Sequence, residues 1–188
     1  MTKTVCFFNS CRTWGGGEKW HLDTAVRLSQ QGVPVVVGVY PGSQLARRLR
    51  DYLIPVFEIR ISNLSFLNPV KIRKIRKRMQ AHDISSIILN LPSDMKAAGI
   101  AAKLAGVPKV IYRRGSAIPV RNSLFNRFLF RNVIDLVVTN SEATKQSLLQ
   151  QNSELIASEK IRVIYNGIDL AAFDRTECAA VYSPPSGE

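Results

Sequence analysis

Hydrophobic residues recur along the chain as short continuous runs separated by amphipathic stretches. The first run, residues 5–8, precedes three consecutive glycines and a helical pattern over residues 18–31. The second run, residues 33–40, is rich in β-branched side chains and uninterrupted, which is typical of a parallel strand buried on both faces. The chain is therefore predicted to begin with a strand, a glycine loop, a helix and a second strand.

The same alternation continues through most of the chain. Further strands are predicted at residues 55–59, 84–89, 109–113, 135–139 and 161–164. Helices are predicted after residues 41–43 and at residues 69–82, 95–104, 124–130 and 142–151. Right-handed crossovers place helices on both faces of a parallel sheet, so this order predicts an α/β fold with a doubly wound, Rossmann-like sheet. One such domain is expected at residues 1–174, followed by a linker or disordered tail at residues 175–188.

Composition adds a strong positive charge to this picture. The 188 residues include 26 Lys and Arg against 14 Asp and Glu, a formal net charge of +12, which implies an anionic partner. No apolar run is long enough to cross a bilayer and the N-terminus lacks a signal-peptide pattern, so a cytoplasmic location is expected. The three cysteines, Cys6, Cys11 and Cys178, lack metal-ligand spacing and are interpreted as reduced thiols, and no metal is expected.

In an open α/β sheet the ligand crevice lies at the carboxyl ends of the strands, so the loops after them are candidates for chemistry. These loops follow Phe8, Tyr40, Asn90, Arg113 and Asn140.

The glycine loop is the first candidate site. Gly15, Gly16 and Gly17 stand before Glu18 at the start of the first helix, where bare backbone N–H groups can approach a phosphate or sugar. A tight turn that requires glycine explains the same residues equally well. The loop matches neither the dinucleotide fingerprint nor the P-loop, which disfavours NAD and ATP.

Two further motifs complete a family pattern. Asn140 opens Asn140-Ser141-Glu142 after the sixth strand, and Asn166-Gly167-Ile168-Asp169 follows the last strand. An Asn-Gly pair after a strand readily turns the chain, which accounts for part of the second motif. Together with the glycine loop, these motifs resemble glycosyltransferase family 4, whose members are retaining enzymes of the GT-B fold. The resemblance runs from about residue 4 to residue 173.

The resemblance implies the N-terminal, acceptor-binding half of such an enzyme. In that family a sugar passes from a nucleoside-diphosphate donor to an acceptor hydroxyl, and the glycine loop meets the donor phosphates. The donor half, with its paired glutamates, is absent from these 188 residues, which are expected to be inactive alone. The donor is a substrate, and no cofactor is implied. The parent enzyme is expected to build surface polysaccharide or lipopolysaccharide. Asn166, Gly167 and Asp169 are placed at the interdomain turn.

The acceptor site is expected around the loop that follows the fifth strand. Many family members carry a histidine there, whereas this chain has Arg113 and Arg114. Arginine cannot act as a base but suits phosphate or carboxylate recognition, so an anionic acceptor is inferred; the alternative is that one arginine makes a structural ion pair. Asp94 is a second candidate for acceptor contact and equally a helix-capping acid, and Asn140 is also placed at this site. His21 is expected to be simply packed.

A basic helix suggests a membrane surface. Six cations lie within residues 71–78, and Lys71, Lys74 and Arg78 are expected to face an anionic leaflet, so that the protein is peripheral on the inner face of the membrane. A second segment, residues 121–131, interleaves aromatic and basic residues. It is predicted mainly as a buried helix, with partial entry into the lipid interface as the alternative.

Two other classes of protein compete with this interpretation. A non-catalytic module that binds nucleic acid or a phosphorylated ligand is supported by charge alone, since stacking aromatics do not interleave with the basic run. A flavodoxin-like binding domain fits the glycine loop but does not account for the motif at Asn166.

Overall fold

A single parallel sheet organises the molecule. The structure, a computed structural model, describes residues 3–150 and 155–167. Its strands are β1 (Thr4–Asn9), β2 (Val35–Val39), β3 (Val56–Glu58), β4 (Ile84–Leu89), β5 (Lys109–Arg114), β6 (Leu136–Thr139) and β7 (Ile161–Val163). These seven strands lie in the order β3-β2-β1-β4-β5-β6-β7, and each neighbouring pair is parallel. The predicted doubly wound α/β fold is therefore confirmed.

Helices connect the strands as the alternating pattern predicts. They are α1 (Gly16–Gln30), α2 (Gln44–Arg50), α3 (Pro69–Ala81), α4 (Pro92–Asp94), α5 (Ile100–Ala105), α6 (Leu124–Phe128) and α7 (Glu142–Leu149). Polar caps fix several starts: the Ser43 hydroxyl accepts from the Ala46 N–H at 3.2 Å, and Asn68 Oδ1 accepts from the Lys71 N–H at 3.0 Å. Short 3₁₀ helices occur at Ser65–Leu67 and Ser158–Lys160.

Two helical stretches widen into π turns. The first, Met95–Gly99, joins α4 to α5, so this helix starts at Pro92 and not at the predicted residue 95. The second, Leu129–Val133, continues from α6. A Cβ on Gly99 would lie 3.0 Å from Val133 Cγ1, so the two wide turns pack closely.

Alternating side chains on the strands build a hydrophobic cluster on each face of the sheet. Phe7 and Val37 point into the cluster that α1 and α2 cover. Phe8 and Ile87 point into the larger cluster covered by the later helices. The order of strands reverses between β1 and β4, which creates the crevice expected of a doubly wound sheet.

The segment at residues 121–131 differs from its prediction as a mainly buried helix. Its first part, α6, contains no buried residue, and Leu124 is 84% exposed. Its second part is buried through Leu129 and Phe130. The apolar residues of this segment therefore lie in two environments: those of α6 are exposed or half-buried, and those of the following π turn are in the core.

Several expectations concern the end of the chain. Asp169, the boundary at residue 174 and the tail at residues 175–188 lie outside the described residues. Within residues 3–150 and 155–167, no helix combines the length and the hydropathy that crossing a bilayer would require.

Candidate functional site

A cleft of about 680 Å³ opens at the carboxyl edge of the sheet. It lies at the β1/β4 reversal and extends past the ends of β5 and β6. The sequence-predicted residues that line it are Gly16, Gly17, Glu18, Arg113, Arg114, Asn140 and Asn166. The loop after Tyr40, which was also expected to contribute, does not supply a described lining residue.

Glu18 links the start of α1 to the ends of two strands through hydrogen bonds. Its buried carboxylate accepts hydrogen bonds from Asn9 Nδ2 at 3.0 Å and from Asn90 Nδ2 at 3.4 Å. Asn9 ends β1 and Asn90 follows β4, so one side chain spans the β1/β4 reversal. Because its oxygen is already engaged by two amides, Glu18 holds the loop in place.

In the glycine loop, lack of space and not an unusual backbone accounts for the glycine at position 17. None of its three glycines has a positive φ, and Gly15 is extended at φ −162°. A Cβ on Gly17, however, would lie 2.8 Å from Asn90 Nδ2, whereas one on Gly16 would meet nothing within 4 Å. A side chain at position 17 would therefore displace the Asn90 amide, and Gly16 and Gly17 line the cleft.

Arg113 reaches the cleft from the face of the sheet that carries α1. Its guanidinium lies 4.4 Å over the Trp20 ring and donates from Nη2 to Asn166 Oδ1 at 3.4 Å. Burial lowers the pKa of Arg113, and the Glu18 carboxylate opposes that shift. The aromatic ring and the amide hold a planar cation at the cleft wall, which is the arrangement suited to a carboxylate or phosphate.

Arg114 points to the other face and serves the loop that follows β5. Its Nη2 donates to the carbonyls of Ser116, at 3.4 Å, and Ile118. Neither Arg113 nor Arg114 forms an ion pair with another described residue, so the alternative of a structural ion pair is not what the structure shows. Adjacent strand residues face opposite ways, so the two arginines lie in different environments.

Asp94 lies beneath the cleft and is fully buried, outside the lining. Its carboxylate accepts from the Ser10 N–H at 3.2 Å, from the Ser10 hydroxyl and from the Leu91 N–H at 3.2 Å. Burial raises the pKa of Asp94 to about 7. The structure thus realises the capping alternative and joins β1 to the start of α4.

Asn140 and Asn166 close the far side of the cleft. Asn140 Nδ2 donates to the Gly115 carbonyl at 3.2 Å, and its Oδ1 accepts from the Thr144 hydroxyl at 2.9 Å. Asn166 accepts from Arg113, and Gly167 follows it with open space where a side chain would stand. Asn140 therefore connects the β5 loop to α7.

His21 is packed, as expected. It is fully buried, its Nδ1 lies 3.0 Å from the Gly17 carbonyl, and its ring meets Phe7 and Trp20 edge to face. Burial lowers the pKa of His21 to about 4. The neutral imidazole supports the first turn of α1.

The electrostatics of the cleft favour an anion. Among the described lining residues the cations are Lys96, Arg113, Arg114 and Arg121, and the one carboxylate is Glu18. Within the described residues no group of three or more His, Cys, Asp or Glu side chains is placed to hold a metal ion. The arrangement can bind and orient a negatively charged ligand.

The predicted basic helix is α3. Ile72, Ile75 and Met79 form the buried stripe of α3. Lys74 and Arg78 are exposed, while Lys71 is half-buried and donates from Nζ to the Ser65 hydroxyl at 3.2 Å.

Sequence reasoning missed the residues that support the cleft from behind. Asn9 and Ser10 follow the first buried run directly, and that position was a usable signal. Trp20 offered no such signal, because its contact with Arg113 joins residues far apart in sequence.

Comparisons with known proteins identify the family and agree with the fold. A model of Glycosyltransferase Family 4 matches residues 14–172. A search of curated protein sequences found no match to the chain. Solved structures of similar fold include Anabaena HepE in complex with UDP-glucose, with a TM-score of 0.71, 21% identity and 89% of this chain covered. A glycosyltransferase from Rickettsia africae gives a TM-score of 0.78, 20% identity and 92% coverage.

A third similar fold is the lipopolysaccharide outer core galactosyltransferase WaaB, with a TM-score of 0.62, 13% identity and 88% of this chain covered. The chain spans about half the length of these proteins, 45% of HepE, 45% of the Rickettsia africae enzyme and 46% of WaaB.

Proposed function

The chain belongs to glycosyltransferase family 4, and from that premise we propose that it forms the acceptor-binding half of an enzyme that transfers a sugar from a nucleoside-diphosphate donor. The acceptor is a saccharide or lipid-linked saccharide of surface polysaccharide or lipopolysaccharide synthesis. The likeness of the fold to WaaB, a lipopolysaccharide galactosyltransferase, supports that class of acceptor.

One observation carries the acceptor assignment: the Arg113 guanidinium is held at the cleft wall between the Trp20 ring and Asn166. A fixed planar cation loses little conformational entropy when it binds a carboxylate or phosphate. Arg114 keeps the β5 loop in place through backbone carbonyls, and Asn140 braces the same loop. We assign the anionic group of the acceptor to Arg113, with Arg114 and Asn140 shaping the site and Asp94 supporting it from below.

The donor phosphates are proposed to meet the start of α1. The N–H groups of Gly16 and Gly17 have no acceptor within the helix, and the positive end of the helix dipole lies at the cleft. Glu18 fixes this end by binding Asn9 and Asn90. No metal or other cofactor is proposed, since helix amides and cleft cations supply the positive charge.

The decisive test is transfer by the complete enzyme with an acidic acceptor. Arg113→Ala is expected to raise the acceptor KM by roughly tenfold or more, because a charge-assisted hydrogen bond is lost, while the donor KM changes little. Arg113→Lys keeps the charge and is expected to recover part of the affinity. Arg162→Ala is the matched control, since within the described residues this exposed arginine donates to backbone carbonyls at the edge of the sheet. An unchanged acceptor KM in Arg113→Ala would refute the assignment.

We further propose that α3 holds the protein on the inner face of the membrane. Lys71, Lys74 and Arg78 would lie against anionic headgroups, each contributing about 1 kcal/mol at the surface. Reversing all three to Glu lowers the formal net charge from +12 to +6, and is expected to abolish co-sedimentation with anionic liposomes.

A charge-matched control separates position from net charge. Reversing Arg47, Lys109 and Arg162, which are exposed elsewhere, also lowers the charge to +6 and is expected to leave binding largely intact. Equal loss in both variants, or salt-insensitive binding to neutral liposomes, would contradict the proposal.

A further inference from the structure

Large apolar side chains are exposed together beside the cleft. Leu64, Leu67 and Val70 lie between β3 and the first turn of α3, with exposed fractions of 68%, 66% and 74%. Leu124 and Phe128 of α6 are 84% and 48% exposed. We call these five residues the apolar rim. Single exposed leucines are ordinary, but five in two adjoining segments form a surface that calls for a partner.

A stack of rings joins the two segments. Phe66 lies in the short helix that carries Leu67, and its ring is 4.7 Å from that of Phe125 in α6. Phe125 in turn stacks on Phe128 at 6.5 Å. The apolar rim is therefore one surface built on a common aromatic support, although its two halves are distant in sequence.

The charge around the apolar rim has one sign. Neither residues 59–82 nor residues 95–134 contain an aspartate or glutamate. Basic groups adjoin the aromatic support: Lys96 Nζ lies 5.9 Å over the Phe66 ring, and Lys71 donates to Ser65. An apolar surface carried by segments without acidic residues, and bordered by Lys71 and Lys96, is complementary to the headgroup region of an anionic bilayer.

We propose that the apolar rim inserts into the interfacial layer of an anionic membrane, with α3 lying on the headgroups beside it. The inference rests on the membrane docking proposed for α3 and adds a set of residues that penetrate the lipid. Ile118, 70% exposed, belongs to the lining of the cleft, so insertion would bring the cleft to the depth at which a lipid-linked acceptor presents its saccharide.

The test places a reporter in the apolar rim. Leu67→Trp is mixed with anionic vesicles that carry bromine on the upper acyl chain, and its emission is compared with that of the wild type, which supplies the background of Trp14 and Trp20. Leu104→Trp is the matched control, because Leu104 is 56% exposed at the other end of the same helical layer. Leu67→Trp is expected to shift to the blue and to be quenched about twofold more than the control, as an interfacial side chain should be.

A second pair of variants tests the energetic role. Leu67→Glu is expected to weaken binding to anionic vesicles about tenfold or more, since it places a charge where an apolar group would enter the lipid, whereas Leu104→Glu should bind as the wild type does. Thermal melting followed by circular dichroism checks that both variants fold, which is expected because both positions are exposed.

The experiments distinguish failure of the insertion proposal from failure of the proposed docking of α3. Vesicle binding that depends on Lys71, Lys74 and Arg78, without added quenching of Leu67→Trp, would overturn insertion and leave the docking of α3 standing. An absence of vesicle binding would overturn both. Emission that is already shifted to the blue without vesicles, together with a dimer in sedimentation equilibrium, would show that a second copy covers the apolar rim, and would also overturn insertion.

Discussion

At the scale of single residues, two buried groups give the protein opposite responses to pH. Burial raises the pKa of Asp94 to about 7 from an ordinary value of 3.8. Between these values the folded state binds more protons than the unfolded state, so stability falls as the pH rises. Burial lowers the pKa of His21 from 6.5 to about 4. Between about pH 4 and pH 6.5 the unfolded state therefore binds more protons at this residue, so stability rises with pH.

The two effects overlap between about pH 4 and pH 6.5, and we expect the stability of the wild type to be nearly flat there. Asp94→Asn removes one of them, so the free energy of unfolding should then rise with pH by up to about 1.4 kcal/mol per unit. Above pH 6.5 the wild type should lose stability until about pH 7, and Asp94→Asn should not. Urea unfolding at half-unit steps measures both slopes. Identical slopes in the two proteins would disprove this explanation.

The glycine loop supplies a second prediction at this scale. Gly17→Ala places a Cβ 2.8 Å from Asn90 Nδ2 and displaces the amide that donates to Glu18, so it should cost about 1 kcal/mol of stability. Gly16→Ala meets open space and should be neutral or slightly stabilising. Thermal melts of the two variants provide the comparison, and equal melting temperatures would contradict the role given to Asn90.

Sequence could place candidate residues at one edge of the sheet but could not separate the contacts that each of them makes. The glycines, Arg113 and Arg114 were predicted because loops at the carboxyl ends of strands meet at one edge of the sheet. That Arg113 lies on Trp20, and Arg114 on backbone carbonyls, depended on the placement of α1 and on the loop conformation. Asp94 left a helix-dipole signal, and its burial beneath Ser10 depended on tertiary packing.

At the scale of elements, Gly38 in β2 leaves the space that the Phe8 and Phe57 rings of the neighbouring strands occupy. A Cβ on Gly38 would lie 2.5 Å from the Phe8 ring and 2.8 Å from the Phe57 ring. Gly38→Ala is therefore expected to destabilise the protein by roughly 1–3 kcal/mol through overpacking. Restoring the room with Phe57→Leu in the same chain should recover part of the loss, measured by urea unfolding. A double variant no more stable than Gly38→Ala would locate the strain elsewhere.

Elements were predicted well where the sequence pattern had one interpretation. Strands buried on both faces give continuous apolar runs, and β4 spans the predicted residues 84–89. The π turns at Met95–Gly99 and Leu129–Val133 could not be predicted. Each is five residues long, which is too short for the wider helical spacing to leave a distinct hydrophobic pattern. For the same reason, the sequence predicted one helix where the structure has the exposed α6 followed by a buried π turn.

At the scale of the whole molecule, charge repulsion opposes folding. With 26 cations and 14 acids, many cations have no acid with which to pair. Raising the salt concentration from about 0.02 M to about 0.2 M screens this repulsion and should raise the melting temperature. The variant with Lys71, Lys74 and Arg78 reversed should gain less from salt, because its net charge is lower. A melting temperature that falls with added salt in both proteins would contradict the conclusion that charge repulsion opposes folding.

The sheet divides the hydrophobic interior into two clusters, and we expect the elements around them to open with different free energies. The cluster under α1 and α2 is built from a continuous early part of the chain, Phe7 to Ile54, and borders the short edge strand β3. Amide hydrogens in α1, α2 and β3 should therefore exchange with solvent at lower free energy than those in central β4, as a separate cooperative unit. Because Glu18 belongs to that unit and Arg113 to the rest, each such opening would dismantle the cleft while leaving α3 folded.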